Sequence, residues 1–414
     1  MSVPANILQQ VQTYQLSGLA FMQNLNCFIG TANTKFKNFN QLEAQLGSTV
    51  TFDLPPRMTT TNSLVASFQP ADQRVQSLVV DQQQSVSYEF TAQQFIFNVK
   101  DYMERFGKAA IIELGAQIES NVAENCVTNT YRFYGDGVSP INSYGQLASA
   151  LAFFRNYGSI GSNVKGYLSD IAVAAIVNSG LNQFALDRNN KIANSWEVGM
   201  FSKCDWYQSN LLPIHTAGNV GVNATTLTVL STTLNAAGAV TSITFSGAGV
   251  SDASAVFQYD KFEFQDGVSG QPNLRYLTFV GHKVSQNPVQ FAATADAGSD
   301  GSGYVTVSIT PALQVNAVNT QNINAPIVAG MQVKALPSHR AGLICSGNPL
   351  FLAMPALPDQ TPFPTGNAFD SDTGVALRQY YGAQFGLNAM GMVHDCIWGS
   401  TLVPENSMAI IFPL

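Results

Sequence analysis

The chain has 414 residues, which is long enough for two or more hydrophobic cores at about 100 to 200 residues per domain. Asp, Glu, Lys and Arg together make up only 11% of it, against about 25% in ordinary soluble domains. The formal net charge of -7 argues against a dedicated nucleic-acid-binding protein, since that function needs clustered basic residues and the sequence has no basic run.

The low charge means that Gln, Asn, Ser and Thr build much of the surface. Such a surface costs less to desolvate than a charged one, and the centres of protein interfaces are depleted in Lys, Glu and Asp. The composition therefore favours a subunit that is covered largely by copies of itself. An extracellular or β-rich protein with many Gln and Asn residues is the alternative.

The N-terminal stretch MSVPANILQQVQTYQLSGLAFM contains no targeting signal. It lacks a basic region, and Gln and Asn interrupt its apolar residues, so it predicts neither a signal peptide nor a membrane span. We therefore expect cytosolic synthesis and no membrane partner.

The cysteines predict buried free thiols. Their number is odd, they are far apart and they form no CxxC pair, so neither a disulfide framework nor a zinc site is indicated. They are Cys27, Cys126, Cys204, Cys345 and Cys396.

The first hundred residues divide into two parts. Residues 1–45 are polar and weakly periodic, which predicts an extended arm with a short helix. Residues 46–98 carry the alternating runs STVTFDL and SVSYEFTAQQFIFNV around a polar segment rich in Pro and Thr. This pattern predicts a long two-stranded excursion with a mobile tip, or else an ordinary hairpin within a sheet.

A long helix is predicted next. Asp101 can cap it, with Glu104 three residues later as in a capping box. Apolar residues then recur every three or four positions on one face of a helix of about 25 to 30 residues. These residues are Met103, Phe106, Ala110, Leu114, Ile118 and Val122.

The composition changes twice in the remainder of the chain. Residues 140–215 predict an α/β region with helices over 143–158 and within 167–186. Six strand-like runs separated by Gly, Asn, Asp and Ser follow, which predict a small barrel or sandwich. They cover 224–234, 239–247, 260–267, 275–284, 289–298 and 303–313. Mixed character returns after residue 335, so the β-rich segment 217–335 is predicted to be an inserted domain.

No motif of catalysis was found. The four histidines, His215, His282, His339 and His394, lie in four separate segments without metal-ligand spacing. The run His394-Asp395-Cys396 forms no Cys/His dyad because neighbouring strand residues point to opposite faces. We predict that the protein is not an enzyme and holds no cofactor or metal; a hydrolase would need a cluster of His and acidic residues in the folded chain.

Two other groups of residues are interpreted as structural. His339 and Arg340 are expected to be a solvated or interface pair. Aromatic residues that could line a ligand groove are instead expected to pack in the core or at interfaces; these are Trp196, Trp206, Tyr207 and Trp398.

The order of these parts resembles the HK97-like capsid fold of tailed bacteriophages, and more specifically the P22-like coat proteins, which carry a β-barrel insertion domain. Three segments carry the resemblance: SNLLPIHT at 209–216, VTVSITPAL at 305–313 and AMGMVHDCIWGSTLVPENSMAII at 389–411. The last segment resembles the closing strand of the family, followed by its aromatic-Gly turn and Pro-Glu pair.

The resemblance implies an α+β fold and an assignment of every part of the chain. That assignment is N-arm 1–45, E-loop 46–98, P-domain spine helix 99–135, A-domain 136–216 and 336–380, β-barrel insertion domain 217–335, and closing strands of the P- and A-domains 381–414.

The implied function is that of a major capsid protein, which self-assembles into the icosahedral shell around a phage genome. The implied partners are further copies in hexamers and pentamers, a separate scaffolding protein, a portal at one vertex and DNA packaged without sequence-specific binding. The implied location is the virion capsid, and the host cytoplasm during assembly. A β-rich cell- or carbohydrate-binding virion structural protein is the alternative.

The charged residues of the E-loop are predicted to form ion pairs between subunits. They are Asp53, Arg57, Asp72, Arg74 and Asp81. No Lys lies between residues 38 and 99, so a lysine-dependent covalent cross-link from this loop is not expected.

Overall fold

The computed structural model divides the chain into two compact units, which are described separately. Helices and strands are numbered in chain order. None of the described helices is both long and apolar enough to cross a membrane. The described residues are 27–34, 47, 49–56, 58, 68, 74–91, 106–158, 163–178, 197–315, 320–360, 363, 365–369, 375–383 and 389–414.

The first unit comprises Met1–Asp53, Val75–Asn125 and Leu350–Leu402. Its elements are α1 Cys27–Thr31, β1 Thr49–Leu54, β2 Arg74–Val79, β3 Gln82–Thr91, α2 Lys108–Thr128, β18 Leu350–Ala353, β19 Thr365–Phe369, β20 Ala376–Ala383 and β21 Ala389–Leu402. Strand β21 is the centre of a five-stranded sheet and pairs with β3, β18 and β20, while β19 lies beyond β20. Strands β1 and β2 form a two-stranded sheet, but the second predicted run of residues 46–98 is not its partner: that run begins within β3, which pairs with β21.

Helix α2 shows the predicted apolar face. Ala110, Leu114, Ile118 and Val122 are buried, but Phe106, two residues before the helix begins, is 49% exposed. The helix has 21 residues, and its last three belong to the second unit. The predicted cap, Asp101 with Glu104, lies outside the described residues, as does Met103.

The second unit contains a seven-stranded sheet. Its strands and the helices in the same unit are β4 Phe133–Tyr134, α3 Tyr144–Arg155, β5 Val164–Leu168, α4 Asp170–Asn178, β6 Glu197–Phe201, β7 Cys204–Gln208, β8 Ile214–His215, α5 Asn219–Val222, β17 His339–Ser346, the 3-10 turn Pro404–Asn406 and β22 Ser407–Phe412. The order is β4-β22-β17-β5-β7-β6, and β8 also pairs with β17. The helices predicted over 143–158 and within 167–186 correspond to α3 and α4, the first capped by the Ser143 side chain.

Six strands of the same unit close into a barrel in the order β10-β15-β14-β11-β16-β9. They are β9 Thr226–Leu234, β10 Val240–Ser246, β11 Lys261–Phe264, β14 Gln290–Ala293, β15 Tyr304–Leu313 and β16 Gln332–Ala335. Phe245, Phe262 and Phe291 are fully buried inside it, with ring centroids 5.2 to 6.3 Å apart. The period-2 pattern of the sequence therefore places one face of each strand in a common core.

One of the six predicted strand-like runs is not part of the barrel. Residues 275–284 instead contribute to a separate pair of strands, β12 Arg275–Leu277 and β13 Val284–Pro288. Gly281 (φ 86°) and His282 (φ 47°) have left-handed backbone conformations, which interrupt the run with a turn. The sixth barrel strand is β16, which lies in the sequence after the last of the six predicted runs.

The chain leaves the seven-stranded sheet for the barrel and returns to it at one place. His215 of β8 is the antiparallel partner of His339 of β17, and Arg340 is the partner of Ile214. Strand β17 is then held on its two edges by β5 and β22. The ends of the intervening segment are therefore within the spacing of two neighbouring strands, about 5 Å.

The side chains expected in the core are buried where they are described. All five cysteines are buried thiols, and Trp206 and Trp398 are each 2% exposed. Tyr207 is half-buried, and Trp196 lies outside the described residues.

Candidate functional site at the junction of the barrel

The histidines are not as separate as the sequence indicates. His215 and His339 meet with ring centroids 5.4 Å apart, while His282 lies in the β12–β13 turn and His394 lies on β21. Across the described residues, no group of three or more His, Cys, Asp and Glu side chains is arranged to hold a metal ion. The two histidines that meet belong to a set of polar residues called here the polar junction: His215, Asp260, Lys261, Ser338 and His339.

Asp260 is the centre of the polar junction and is 1% exposed. Its Oδ1 lies 2.7 Å from His215 Nε2, and its Oδ2 accepts hydrogen bonds from the backbone N–H groups of Gly218 at 3.1 Å and Phe257 at 2.8 Å. A carboxylate oxygen accepts, so His215 Nε2 donates this hydrogen bond. One side chain thus joins the entry of the barrel segment to the beginning of β11.

Lys261, the next residue, reaches the end of helix α2. Its Nζ donates to the carbonyl oxygens of Val127, at 3.2 Å, and of Thr130. The last carbonyls of a helix lack partners within the helix and carry partial negative charge, so an amine is a favourable cap. The side chain is 2% exposed, and burial lowers its pKa to about 7, with Asp260 opposing that shift.

His339 lies where the chain returns from the barrel to the seven-stranded sheet. Its side chain is fully buried, and burial lowers its pKa to about 3, so the imidazole is neutral at pH 7. Its Nδ1 lies 2.7 Å from the carbonyl oxygen of Pro337 and donates to it. The expectation of a solvated or interface pair with Arg340 is wrong for His339. Nearby, Ser338 Oγ accepts from the backbone N–H of Ala217 at 3.0 Å, which joins exit to entry directly.

Two glycines let the backbones approach closely at this place. A Cβ on Gly218 would lie 2.6 Å from the carbonyl oxygen of Ala255, and one on Gly221 would lie 2.3 Å from that of Leu336. Both distances are shorter than any ordinary contact of a side chain. Helix α5, which contains Gly221, is therefore wedged against the segment that leaves the barrel.

A second polar link lies on strand β14. Gln290 is 1% exposed, and its amide exchanges two hydrogen bonds of 2.9 Å with the backbone N–H and C=O of Phe133 in β4. The same Nε2 donates to Glu263 at 2.6 Å. The side-chain amide of Gln290 thus takes the place of the backbone groups of a neighbouring strand. It joins the barrel strand β14 to β4, at the edge of the seven-stranded sheet.

These contacts indicate a mechanical role. His215 bonds to Asp260 within the inserted segment. Ala217 at the entry bonds to Ser338 at the exit, and Lys261 bonds to the end of α2. The arrangement fixes the barrel to the sheet through several connections rather than through two flexible linkers.

Of the residues predicted to form inter-subunit ion pairs, those that the structure describes are not members of the polar junction. Asp53 on β1 and Asp81 before β3 are exposed, and Asp81 accepts from Gln82 Nε2 at 3.1 Å. Arg74 donates to Glu405 of the same chain, with side chains 28% and 18% exposed. Arg57 and Asp72 lie outside the described residues.

Sequence reasoning missed the polar junction. Asp260 and Lys261 stand at the beginning of the strand-like run 260–267, and the sequence predicts no separate role for either. The available signal was a pair of charged residues directly before the apolar alternation of β11, in a chain with only 11% charged residues. The contacts themselves join residues up to 134 positions apart, which spacing does not show.

Three solved structures with similarity to this chain come from two phages and a native GTA particle. One titled Mycobacterium phage Che8 is 8% identical and covers 93% of this chain and 90% of its own, with a TM-score of 0.45. The capsid structure of the cyanophage P-SCSP1u is 10% identical over 94% and 88%, with a TM-score of 0.43. The capsid of a native GTA particle is 6% identical over 95% and 91%, also with a TM-score of 0.43. No model of a protein family and no curated protein matches the chain.

Proposed function

We propose that this chain is the major capsid protein of a tailed bacteriophage, with segment 217–335 as an inserted barrel domain. The observation that carries the proposal is the place where the barrel is attached. The segment leaves at His215 and returns at His339, which pair as neighbouring strands, and β17 continues into the middle of the seven-stranded sheet. A β-barrel inserted into the second half of an α/β domain is what the resemblance to P22-like coat proteins implies.

The order of the other described elements supports the same assignment. A two-stranded sheet from β1 and β2 precedes the 21-residue helix α2, and α2 precedes the mixed sheet. This order supports the proposal that these parts are the E-loop, the spine helix and the A-domain.

The composition fits repeated association between copies. Shell subunits use heterologous contacts around each ring, and a surface poor in charge is cheap to desolvate over large areas. Exposed Asp53 and Asp81 remain candidates for ion pairs with a neighbouring copy, as do Arg57 and Asp72. We further propose a separate scaffolding protein, a portal at one vertex and enclosed DNA held without sequence-specific contacts, in a virion assembled in the host cytoplasm.

The barrel is expected to stiffen the region that holds it, because the polar junction and Gln290 bind it at several points. In the variant to be tested, a short Gly/Ser bridge replaces 217–335. The bridge can span the gap because His215 and His339 are paired, but the carbonyls of Val127 and Thr130 lose their Lys261 cap. We expect this chain to aggregate or misassemble.

The measurement is the yield of closed particles on a sucrose gradient after expression. The matched control carries the same Gly/Ser sequence inserted at Gly301, in a barrel loop where a Cβ would contact nothing within 4 Å. The control should retain the wild-type yield. Shells of normal size from the excised chain would refute the stiffening role.

A further inference from the structure

Arg132 is a buried cation without a carboxylate partner. It follows helix α2, is 2% exposed, and belongs to none of the ion pairs of the described residues. Its Nη2 donates to Tyr131 Oη at 3.4 Å, whereas Nε and Nη1 donate to no protein atom. Because a guanidinium stays protonated in proteins and offers five donors, most of its hydrogen-bonding capacity is unused.

Aromatic rings stabilise the charge but leave the donors unused. The guanidinium carbon lies 4.2 Å from the centroid of the Tyr157 ring and 5.5 Å from those of Tyr131 and Phe279. Such contacts are electrostatically favourable. They involve the faces of the rings, however, and the N–H groups at the edge of the guanidinium still need an acceptor.

The guanidinium lines a cavity of about 270 Å³ within the second unit. Tyr131, Tyr157 and Tyr276 form part of its wall, and Arg74 and Glu405 also line it. Arg74 and Glu405 are paired with each other, so their charges offset and the charge of Arg132 is left to attract an anion. The volume is enough for a small organic group.

We propose that this cavity binds a carboxylate group that accepts hydrogen bonds from Arg132. Carboxylates match the planar fork of a guanidinium and form short, charge-assisted hydrogen bonds with it. A doubly charged phosphate fits less well, because the charge of Arg132 balances one negative charge rather than two. The proposal goes beyond the capsid function and does not depend on it.

Two sources can supply the carboxylate: a free small acid, or an Asp or Glu side chain of a second copy of this chain, which has 26 such residues. The shared chemistry is tested first, with acetate as the probe. The melting temperature of the purified full chain is measured against acetate concentration, with chloride at equal ionic strength as the reference. We expect a saturable rise with acetate that chloride does not produce.

Arg132→Lys keeps the positive charge but removes the planar guanidinium that can bind both carboxylate oxygens. The acetate concentration at half-saturation should therefore increase about tenfold. Arg155→Lys, on the exposed side of α3, should respond as the wild type does. If Arg132→Lys does not fold, equilibrium dialysis of the wild type decides: one acetate per chain, displaced by formate, supports the site, and no saturable binding overturns it.

Sedimentation of the same samples distinguishes the sources. If a second copy supplies the carboxylate, acetate competes and weakens self-association, and Arg132→Lys associates more weakly than Arg155→Lys. If the ligand is a free acid, self-association is unchanged while the melting temperature rises. Equal melting temperatures in acetate and chloride, or a larger rise with phosphate than with acetate, would overturn the carboxylate site.

Discussion

Lys261 makes the stability of the protein dependent on pH. Its pKa is about 7 in the folded chain, below its ordinary value of 10.5. Between these values the unfolded chain binds a proton that the folded chain lacks, so this residue makes folding more favourable as pH rises from 7 to 10.5. As pH falls through that range, the stability is lost again.

Lys261→Met should remove this dependence. The difference in unfolding free energy, wild type minus variant, should increase with pH by at most about 1.4 kcal/mol per unit. Urea denaturation at pH 7.5, 8.5 and 9.5 measures it. Lys283→Met, at an exposed position of the same β-rich segment, should give a difference that does not change with pH; the same flat result for Lys261→Met would show that Lys261 does not lose its proton.

Arg378 and Asp395 form a buried ion pair in the first unit. Arg378 Nε donates to Asp395 Oδ1 at 2.9 Å and Nη2 to Oδ2 at 2.5 Å, and the side chains are 9% and 3% exposed. The pair joins β20 to β21 across their register. This is the role of the acidic residue in the His394-Asp395-Cys396 run.

Asp395→Asn should destabilise the chain by about 3 to 5 kcal/mol, because it leaves the Arg378 charge buried without its counter-ion. Thermal or urea unfolding measures the loss, with Asp53→Asn as the exposed control, which should change stability by about 0.5 kcal/mol or less. A loss as small as that of the control would mean that water reaches the pair.

At the scale of elements, α5 shows how tightly the barrel segment is fixed. Gly221→Ala would place a methyl group 2.3 Å from the carbonyl oxygen of Leu336, so the two segments must move apart. We expect a loss of about 1 to 3 kcal/mol, the usual cost of overpacking. Gly301→Ala meets no atom within 4 Å and should be near neutral. Equal unfolding midpoints for the two variants would show that the junction yields easily.

The elements with strong periodicity were predictable from sequence. Helix α2 is predicted by the spacing of Ala110, Leu114, Ile118 and Val122, and β15 by its alternation of apolar and polar residues. In both, local spacing alone determines which face is buried. The short strand β16 was less visible, since four residues carry little pattern. The sequence predicts a strand through the turn at Gly281, because the residues at 276–280 before it are aromatic, apolar or β-branched.

The polar junction was not predictable for a different reason. Asp260, Lys261 and His339 are placed by contacts between distant segments, and nothing local distinguishes a buried Lys from a solvated one. In the sequence, His215 and His339 are two well-separated histidines without metal-ligand spacing, one on each flank of the β-rich segment. Their pairing follows from the topology of the sheet, which short motifs do not determine.

At the scale of the whole molecule, three features support the proposed capsid function, in which the chain works in many copies. The chain combines low charge, a barrel held at several points and exposed acidic residues on β1 and before β3. Large contact areas between such subunits need little desolvation of charge, so association can remain reversible and allow misplaced copies to dissociate.

The most direct test of the capsid proposal is electron microscopy of the high-speed pellet from cells that express the full chain. The proposal predicts closed shells, tubes or spirals built from repeated copies. A chain that stays in the supernatant as a monodisperse monomer or small oligomer, also when produced together with the other head proteins of its own virus, would contradict it.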